Sequence, residues 1–138
     1  MPTKDAELAV RSTSDGSMDS DGFTSAEFVL RGAPMEGYAL EVDVPAEGGG
    51  TDRTLDIFIN AATATGVTSG SALVGQTSKQ LVDTTAKGNH IIPFNLPVGH
   101  DYVKIKMDVG GTSPDFSVVL ASIVQNVGTS WTRAVHFA

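Results

Sequence analysis

The sequence contains no cysteine. Disulfides, thiolate nucleophiles and cysteine-based zinc sites are excluded together, so stability must come from packing or association. Basic residues are also scarce: nine Lys and Arg stand against sixteen Asp and Glu, for a net charge of −7. The few cations form no cluster, and a surface of this kind repels phosphate, so contact with nucleic acid is not expected. No apolar run approaches the ~20 residues a membrane-spanning helix needs, and no membrane partner is expected. The opening Met1-Pro2-Thr3-Lys4-Asp5-Ala6-Glu7 lacks the apolar core of a secretory signal, so synthesis in the cytoplasm is expected. Aromatics amount to only 7% of the chain, too few for the rows of exposed rings on which many sugar-binding modules rely.

What the sequence does have is alternation with period two, the pattern of half-buried strands. In Tyr38-Ala39-Leu40-Glu41-Val42-Asp43-Val44 the even positions are apolar. Thr54 to Asn60 places Leu55, Ile57 and Ile59 on one face and Phe58, a misfit, on the other. Tyr102 to Val109 sets Val103, Ile105, Met107 and Val109 inward and its charges outward. Phe116 to Val124 is apolar on both faces and belongs centrally in a sheet or beneath an interface. Weaker strands are Ala6 to Arg11, Ala26 to Arg31, Ser71 to Gln76 and His90 to Asn95. In the last, Pro93 lacks a donor and marks an edge or a bulge.

Glycine and proline punctuate these segments as turns, at Gly48-Gly49-Gly50, Pro97-Val98-Gly99 and Gly110-Gly111-Thr112-Ser113-Pro114 among others. No stretch carries a capped 3.6-residue period. The expected fold is all-β: an antiparallel two-sheet β-sandwich, jelly-roll-like, with extended N- and C-terminal arms. Its divisions are an N-terminal arm (1–25), a sandwich domain (26–126) and a C-terminal tail (127–138). The expected core is Leu40, Val42, Leu55, Ile57, Ile59, Val103, Ile105, Met107, Val118 and Leu120; Tyr38 and Tyr102 also read as core residues.

Catalytic and metal-binding patterns are not found. Asp19-Ser20-Asp21-Gly22 imitates a calcium loop, but aligning Gly22 with that loop's glycine puts Phe28 where a bidentate carboxylate is needed. A solvated acidic turn is the favoured reading. His90, His100 and His136 show no ligand spacing, and no G-x-S-x-G elbow or phosphate-binding glycine motif is present. Neighbouring His100 and Asp101 would point to opposite faces of a strand, which spoils a relay. Paired carboxylates brought together only by folding remain open. The expectation is a non-enzymatic protein with no cofactor and no metal.

Contact residues are then the functional ones. Ser12 to Ser25 is rich in Ser, Asp and Gly, and ordering it costs roughly 1–2 kcal/mol per residue in backbone entropy. Met18 and Phe23 are its hydrophobic anchors, returning about 1.5–3 kcal/mol each if buried. The expectation is an arm held by a sister subunit or another protein through Met18 and Phe23. Phe58 on its outward face, and Trp131, Arg133 and Phe137 in the tail, complete the expected interface, because aromatics and arginine dominate interface hot spots.

The order of segments carries a resemblance. An alternating strand (Tyr38 to Val44) leads through a Gly-rich turn into Thr54-Leu55-Asp56-Ile57-Phe58-Ile59. Pro97-Val98-Gly99-His100 then leads into Asp101-Tyr102-Val103-Lys104-Ile105, and Gly110-Gly111-Thr112-Ser113-Pro114-Asp115-Phe116-Ser117-Val118 closes on an apolar strand. Over roughly residues 26 to 125 this resembles the small jelly-roll cement, or decoration, proteins of tailed bacteriophages, of the Bordetella-phage type. The resemblance implies a homo-oligomer, a homodimer ahead of a trimer, on the outer surface of the virion capsid. There it would bridge neighbouring subunits of the major capsid protein. It brings no catalytic residues. A carbohydrate- or receptor-binding β-sandwich module of a phage structural protein is the alternative.

Overall fold

The computed structural model describes residues 8–30, 37–46, 48–77 and 80–125. They are nearly all β and form two antiparallel sheets. In chain order the strands are β1 (Leu8–Arg11), β2 (Phe23–Thr24), β3 (Phe28–Val29), β4 (Tyr38–Val44) and β5 (Gly49–Ala62). They continue with β6 (Ala72–Gln76), β7 (Leu81–Val82), β8 (Gly88–Phe94), β9 (Tyr102–Asp115) and β10 (Leu120–Gln125). One helical turn, α1 (Asp83–Ala86), links β7 to β8. No helix among the described residues is long and apolar enough to cross a membrane.

The first sheet runs β1-β10-β4-β8. The second is built on the long pair β5 and β9, flanked by β2 and β3 beside β9 and by β6 and β7 beside β5. Alternation dictates what faces the other sheet. Across β5 and β9, Leu55 pairs with Val109, Ile57 with Met107, Ile59 with Ile105 and Ala61 with Val103. Facing them, Leu40 lies between Ile123 and Ile92, and Val42 lies beside Ala121. These side chains form one hydrophobic cluster shared by both sheets. Tyr38 stacks on Phe94 at 5.6 Å at its margin, whereas Tyr102 falls in the outward phase of β9, opposite Ala62, and is half-buried.

Two of the expected core residues are not core. Val118 is half-buried and Leu120 is 37% exposed, while Val119, Ala121 and Ile123 are buried in their place. A segment apolar at every position has no alternation to set its phase. The phase comes from Ser117, whose positive φ of 62° turns the chain where its N–H donates to Asp115 Oδ1 at 2.7 Å.

Two glycine runs read as turns lie within strands. Gly49 pairs with Asp115, Thr51 with Thr112 and Thr54 with Gly110, with register shifts between them. β5 and β9 therefore continue past the core as a bulged ribbon. Glycine is required there: a Cβ on Gly50 would sit 2.5 Å from Ser113 O, and one on Gly111 2.7 Å from Asp52 O. Pro93 does lie on an edge strand, β8, which pairs only with β4 among the described residues.

Residues 8–25 are not a free arm, and Met18, expected as an anchor in another protein, is instead buried in this chain. β1 pairs with β10 and β2 with β9. Met18 is fully buried; its N–H donates to Ser117 O and its carbonyl accepts from Phe116 N, both at 2.9 Å. Buried Ser25 continues the pairing, donating its N–H to Ile105 O and accepting Ile105 N–H on its hydroxyl, both at 2.9 Å. The entropy of ordering this polar segment is offset by hydrogen bonds to the chain's own strands. Arg11 completes the attachment: its Nη1 donates to Val119 O at 2.8 Å and its guanidinium lies 5.1 Å from the centre of the Phe23 ring. Burial holds its pKa below the ordinary arginine value, against the opposing pull of Asp15.

Candidate binding face

The outward phase of β5 and β9 is the counterpart of the core. Asp56 faces Asp108, Phe58 faces Lys106 and Asn60 faces Lys104. β6 adds Leu73 opposite Asn60 and Gln76 opposite Phe58. Phe58 is half-buried and Leu73 is 50% exposed, so this face carries an apolar pair where alternation should leave only polar groups. Together with Asn60, Ser69, Lys106 and Asp108 they line a depression of about 320 Å³.

The electrostatics are locally balanced. Lys106 Nζ lies 3.6 Å from Asp108 Oδ1, an exposed pair that contributes little to stability. Asp56 Oδ2 accepts from Gln80 Nε2 at 2.7 Å, which tempers its position opposite Asp108.

One wall of the face is the β5–β6 loop. Val67, 2% exposed, roots it, and Asn60 Nδ2 donates to Ser71 O at 3.2 Å. Glu27, between β2 and β3, clasps it from the far side of β9: its Oε1 accepts both Gly66 N–H and Val67 N–H at 2.9 Å. These bonds, Val67's first, and Lys104 nearby hold the Glu27 pKa below the usual glutamate value, against a smaller opposing cost of burial. A lowered carboxylate pKa means the clasp is present at neutral pH and is lost as pH falls through that lowered value. The expected result is that the Gly66 and Val67 amide resonances shift together on acid titration, with a midpoint below the usual glutamate value. In Glu27→Gln that step disappears and both amides exchange faster with solvent, while the core amides are unchanged.

Of the residues expected at an interface, the structure leaves Phe58 on an accessible face and takes Met18 into the core. Phe23 is half-buried beneath Arg11. Trp131, Arg133 and Phe137 lie outside the described residues. Alternation alone does not single out Leu73 or Lys104 as part of this face: Leu73 sits in a weakly alternating strand, and its phase follows only from pairing with β5.

The Asp19 to Gly22 segment is a hydrogen-bonded turn, in which Asp21 N–H donates to Asp19 Oδ1 at 3.0 Å and Gly22 N–H to Asp19 O at 2.9 Å. No group of three or more His, Asp or Glu suited to a metal ion occurs among the described residues. His90 Nε2 bonds Ala86 O at 2.6 Å and His100 Nδ1 bonds Val98 O at 3.3 Å, each within its own turn.

A second concavity, about 540 Å³, opens between the sheet edges, where β7 and α1 stand away from β8. At its far end the edges close: a Cβ on Gly75 of β6 would meet Phe94 Cβ at 3.0 Å. Glycine permits that approach. Comparison of the chain with family models, with curated proteins and with solved structures finds no match.

Proposed function

We propose that this chain is a capsid cement, or decoration, protein of a tailed bacteriophage. Its two sheets act as a jelly-roll-like β-sandwich, seated on the outer surface of the head and bridging neighbouring major capsid protein subunits. The homodimer is the proposed oligomer. The role is structural and non-enzymatic, with no cofactor, nucleic-acid or membrane partner. The observation that carries this reading is the apolar pair of Phe58 on β5 and Leu73 on β6, displayed outward with Lys104 and Lys106 of β9 alongside in a chain of net charge −7. A buried aromatic anchor beside an aliphatic one is the usual centre of a protein interface. Several such contacts on one shell reach high avidity without any of them being strong. The order of segments that resembles phage cement proteins supports the same reading.

The test is binding to DNA-filled heads lacking the protein. Phe58→Ala is expected to weaken attachment by about 2 kcal/mol per contact, roughly thirtyfold, with an unchanged far-ultraviolet spectrum. Undiminished attachment of Phe58→Ala and Leu73→Ala together would remove this face from the interface. A glycan-binding reading is favoured by one observation: the Phe58 ring shares its depression with Asn60, Ser69 and Asp108, a combination that also suits a sugar ring. Saturation transfer from the protein to oligosaccharides, abolished by Phe58→Ala, would decide for it.

A further inference from the structure

We infer that the outward face of the second sheet takes an extended acidic peptide. An aromatic or large aliphatic side chain of that peptide sits on Phe58 and Leu73, and a carboxylate two residues along sits between Lys104 and Lys106. The inference rests on the reading of this face as the docking face and names the chemistry of its partner.

Two depressions on this face are continuous. The apolar one, about 320 Å³, is lined by Phe58 and Leu73 together with Asn60, Ser69 and Lys106. The other, about 250 Å³, is lined by Asn60, Ser69 and Lys106 again, and by Lys104, Thr24 and Thr68. The three shared residues make them one groove that crosses the strands from β6 to β2. Its wall is held in place before any partner arrives: Glu27 accepts from Gly66 and Val67, and Asn60 donates to Ser71 O. A groove already formed loses little freedom on binding.

The groove has an apolar end and a charged end. Lys104 and Lys106 stand two residues apart on the outward side of β9, a local reversal of sign in a chain of net charge −7. Among the described residues, the lining around both lysines holds hydroxyl and amide groups and no carboxylate. Two nearby acids do not close it. Glu27 places one oxygen on the loop amides, and Asp108 meets Lys106 at 3.6 Å in an exposed pair that an incoming carboxylate replaces at little cost. A single carboxylate suits such a site. A nucleic acid does not, because its many phosphates would also meet the acidic remainder of the surface. A neutral sugar would leave both ammonium groups unanswered.

Strand spacing sets the spacing in the peptide. Leu73 faces Asn60 across β5 and β6, while Lys104 faces Asn60 and Lys106 faces Phe58 across β5 and β9. The midpoint of Phe58 and Leu73 therefore lies between β5 and β6, level with the midpoint of the two lysines on β9. With strands about 4.8 Å apart, these midpoints are separated by about 7 Å. Side chains two residues apart in an extended chain, at about 3.3 Å per residue, repeat on one side at the same distance. The partner's sequence is thus an aromatic or large aliphatic residue, any residue, then Asp or Glu. Such a peptide runs across the strands, so side chains and not an edge ladder carry its binding.

Titration of the isotope-labelled full chain with end-blocked peptides tests this, comparing Gly-Phe-Gly-Glu-Gly with Gly-Phe-Gly-Gln-Gly. Both are expected to shift the amides of Phe58, Asn60, Leu73, Lys104 and Lys106. The glutamate peptide is expected to bind about fivefold more tightly at low salt, an advantage that shrinks as salt rises. Changing Lys104→Gln and Lys106→Gln together is expected to erase that preference while keeping the affinity for the glutamine peptide. Lys87→Gln, which alters net charge outside the groove, is expected to keep the preference. Circular dichroism reports that each variant is folded, and the single lysine variants carry the test if the double one is not. Equal affinity for the two peptides, or shifts absent from the groove, overturns the acidic occupant. A hyaluronan tetrasaccharide that displaces the glutamate peptide at lower concentration overturns it in favour of an acidic glycan. Heads that release Phe58→Ala but hold the double lysine variant as firmly as the unmodified chain leave the cement reading standing without this inference. A glutamate preference in a chain that binds no head upholds the groove and overturns the cement reading.

Discussion

Removal of residues 1–25 is expected to unfold the protein rather than release a detachable arm. The deletion takes away β1 from β10, β2 from β9, and the bridge between Asp19 and Asp115. It also empties the place of Met18, which is fully buried, and of Val10, at 9% exposure. Loss of a buried Met side chain alone costs about 2–5 kcal/mol. Val119 O would lose its Arg11 donor, and Ile105 N–H its Ser25 acceptor. Buried groups left unpaired cost about 1–3 kcal/mol each. Typical domains are stable by only about 5–15 kcal/mol, so these losses together consume most or all of that margin. Thermal denaturation followed by circular dichroism checks this: the truncated chain is expected to show no cooperative transition. Met18→Ala, a milder probe, is expected to lower stability by about 2–5 kcal/mol. A truncated chain that melts near the temperature of the full one would return residues 1–25 to the status of an arm.

Ile105→Ala is expected to destabilise the fold by about 2–5 kcal/mol. Ile105 is fully buried, faces Ile59 across β5 and β9, and belongs to the cluster shared by both sheets. Its backbone is also tied to Ser25 in both directions. Shortening the side chain therefore opens a cavity at a place held by two sets of strands and little able to collapse. A chain of this size loses about 2–8 °C in Tm per kcal/mol, so a drop of at least several degrees is the readout. The phase of β10 supplies the internal control. Val119→Ala, at a fully buried position, is expected to cost clearly more than Val118→Ala at its half-buried neighbour. Equal costs at the two would contradict the register set at Ser117.

Much of the fold is legible in the sequence because alternation encodes burial directly. The alternation of Tyr38 to Val44 marks the bounds that β4 has, and Leu55, Ile57, Ile59, Val103, Ile105 and Met107 are core in the phase that their spacing demands. The absence of cysteine, the acidic balance and the edge position of a strand holding Pro93 follow from composition and from the missing N–H of proline. Those are properties of residues or of near neighbours, and local patterns carry them.

Other features were decided by partners distant in sequence. Met18 and Ser25 look like members of a polar linker until β9 and the Phe116 to Val119 segment supply their hydrogen bonds. Val118 and Val119 are indistinguishable by composition, and the turn at Ser117 chooses between them. The glycine runs at 48–50 and 110–111 resemble two separate turns because nothing local reveals that they lie opposite one another. Phe58 could be recognised as an outward misfit, but Leu73, Lys104 and the Glu27 clasp join it only through pairing registers and a contact some 40 residues away in sequence. By itself the sequence determined which strands alternate and which faces they bury, since a side chain's transfer from water depends on its own chemistry. Tertiary structure alone decided where the N-terminal segment is fastened and what surrounds Phe58, since a backbone hydrogen bond carries no mark in the sequence of the partner it will find.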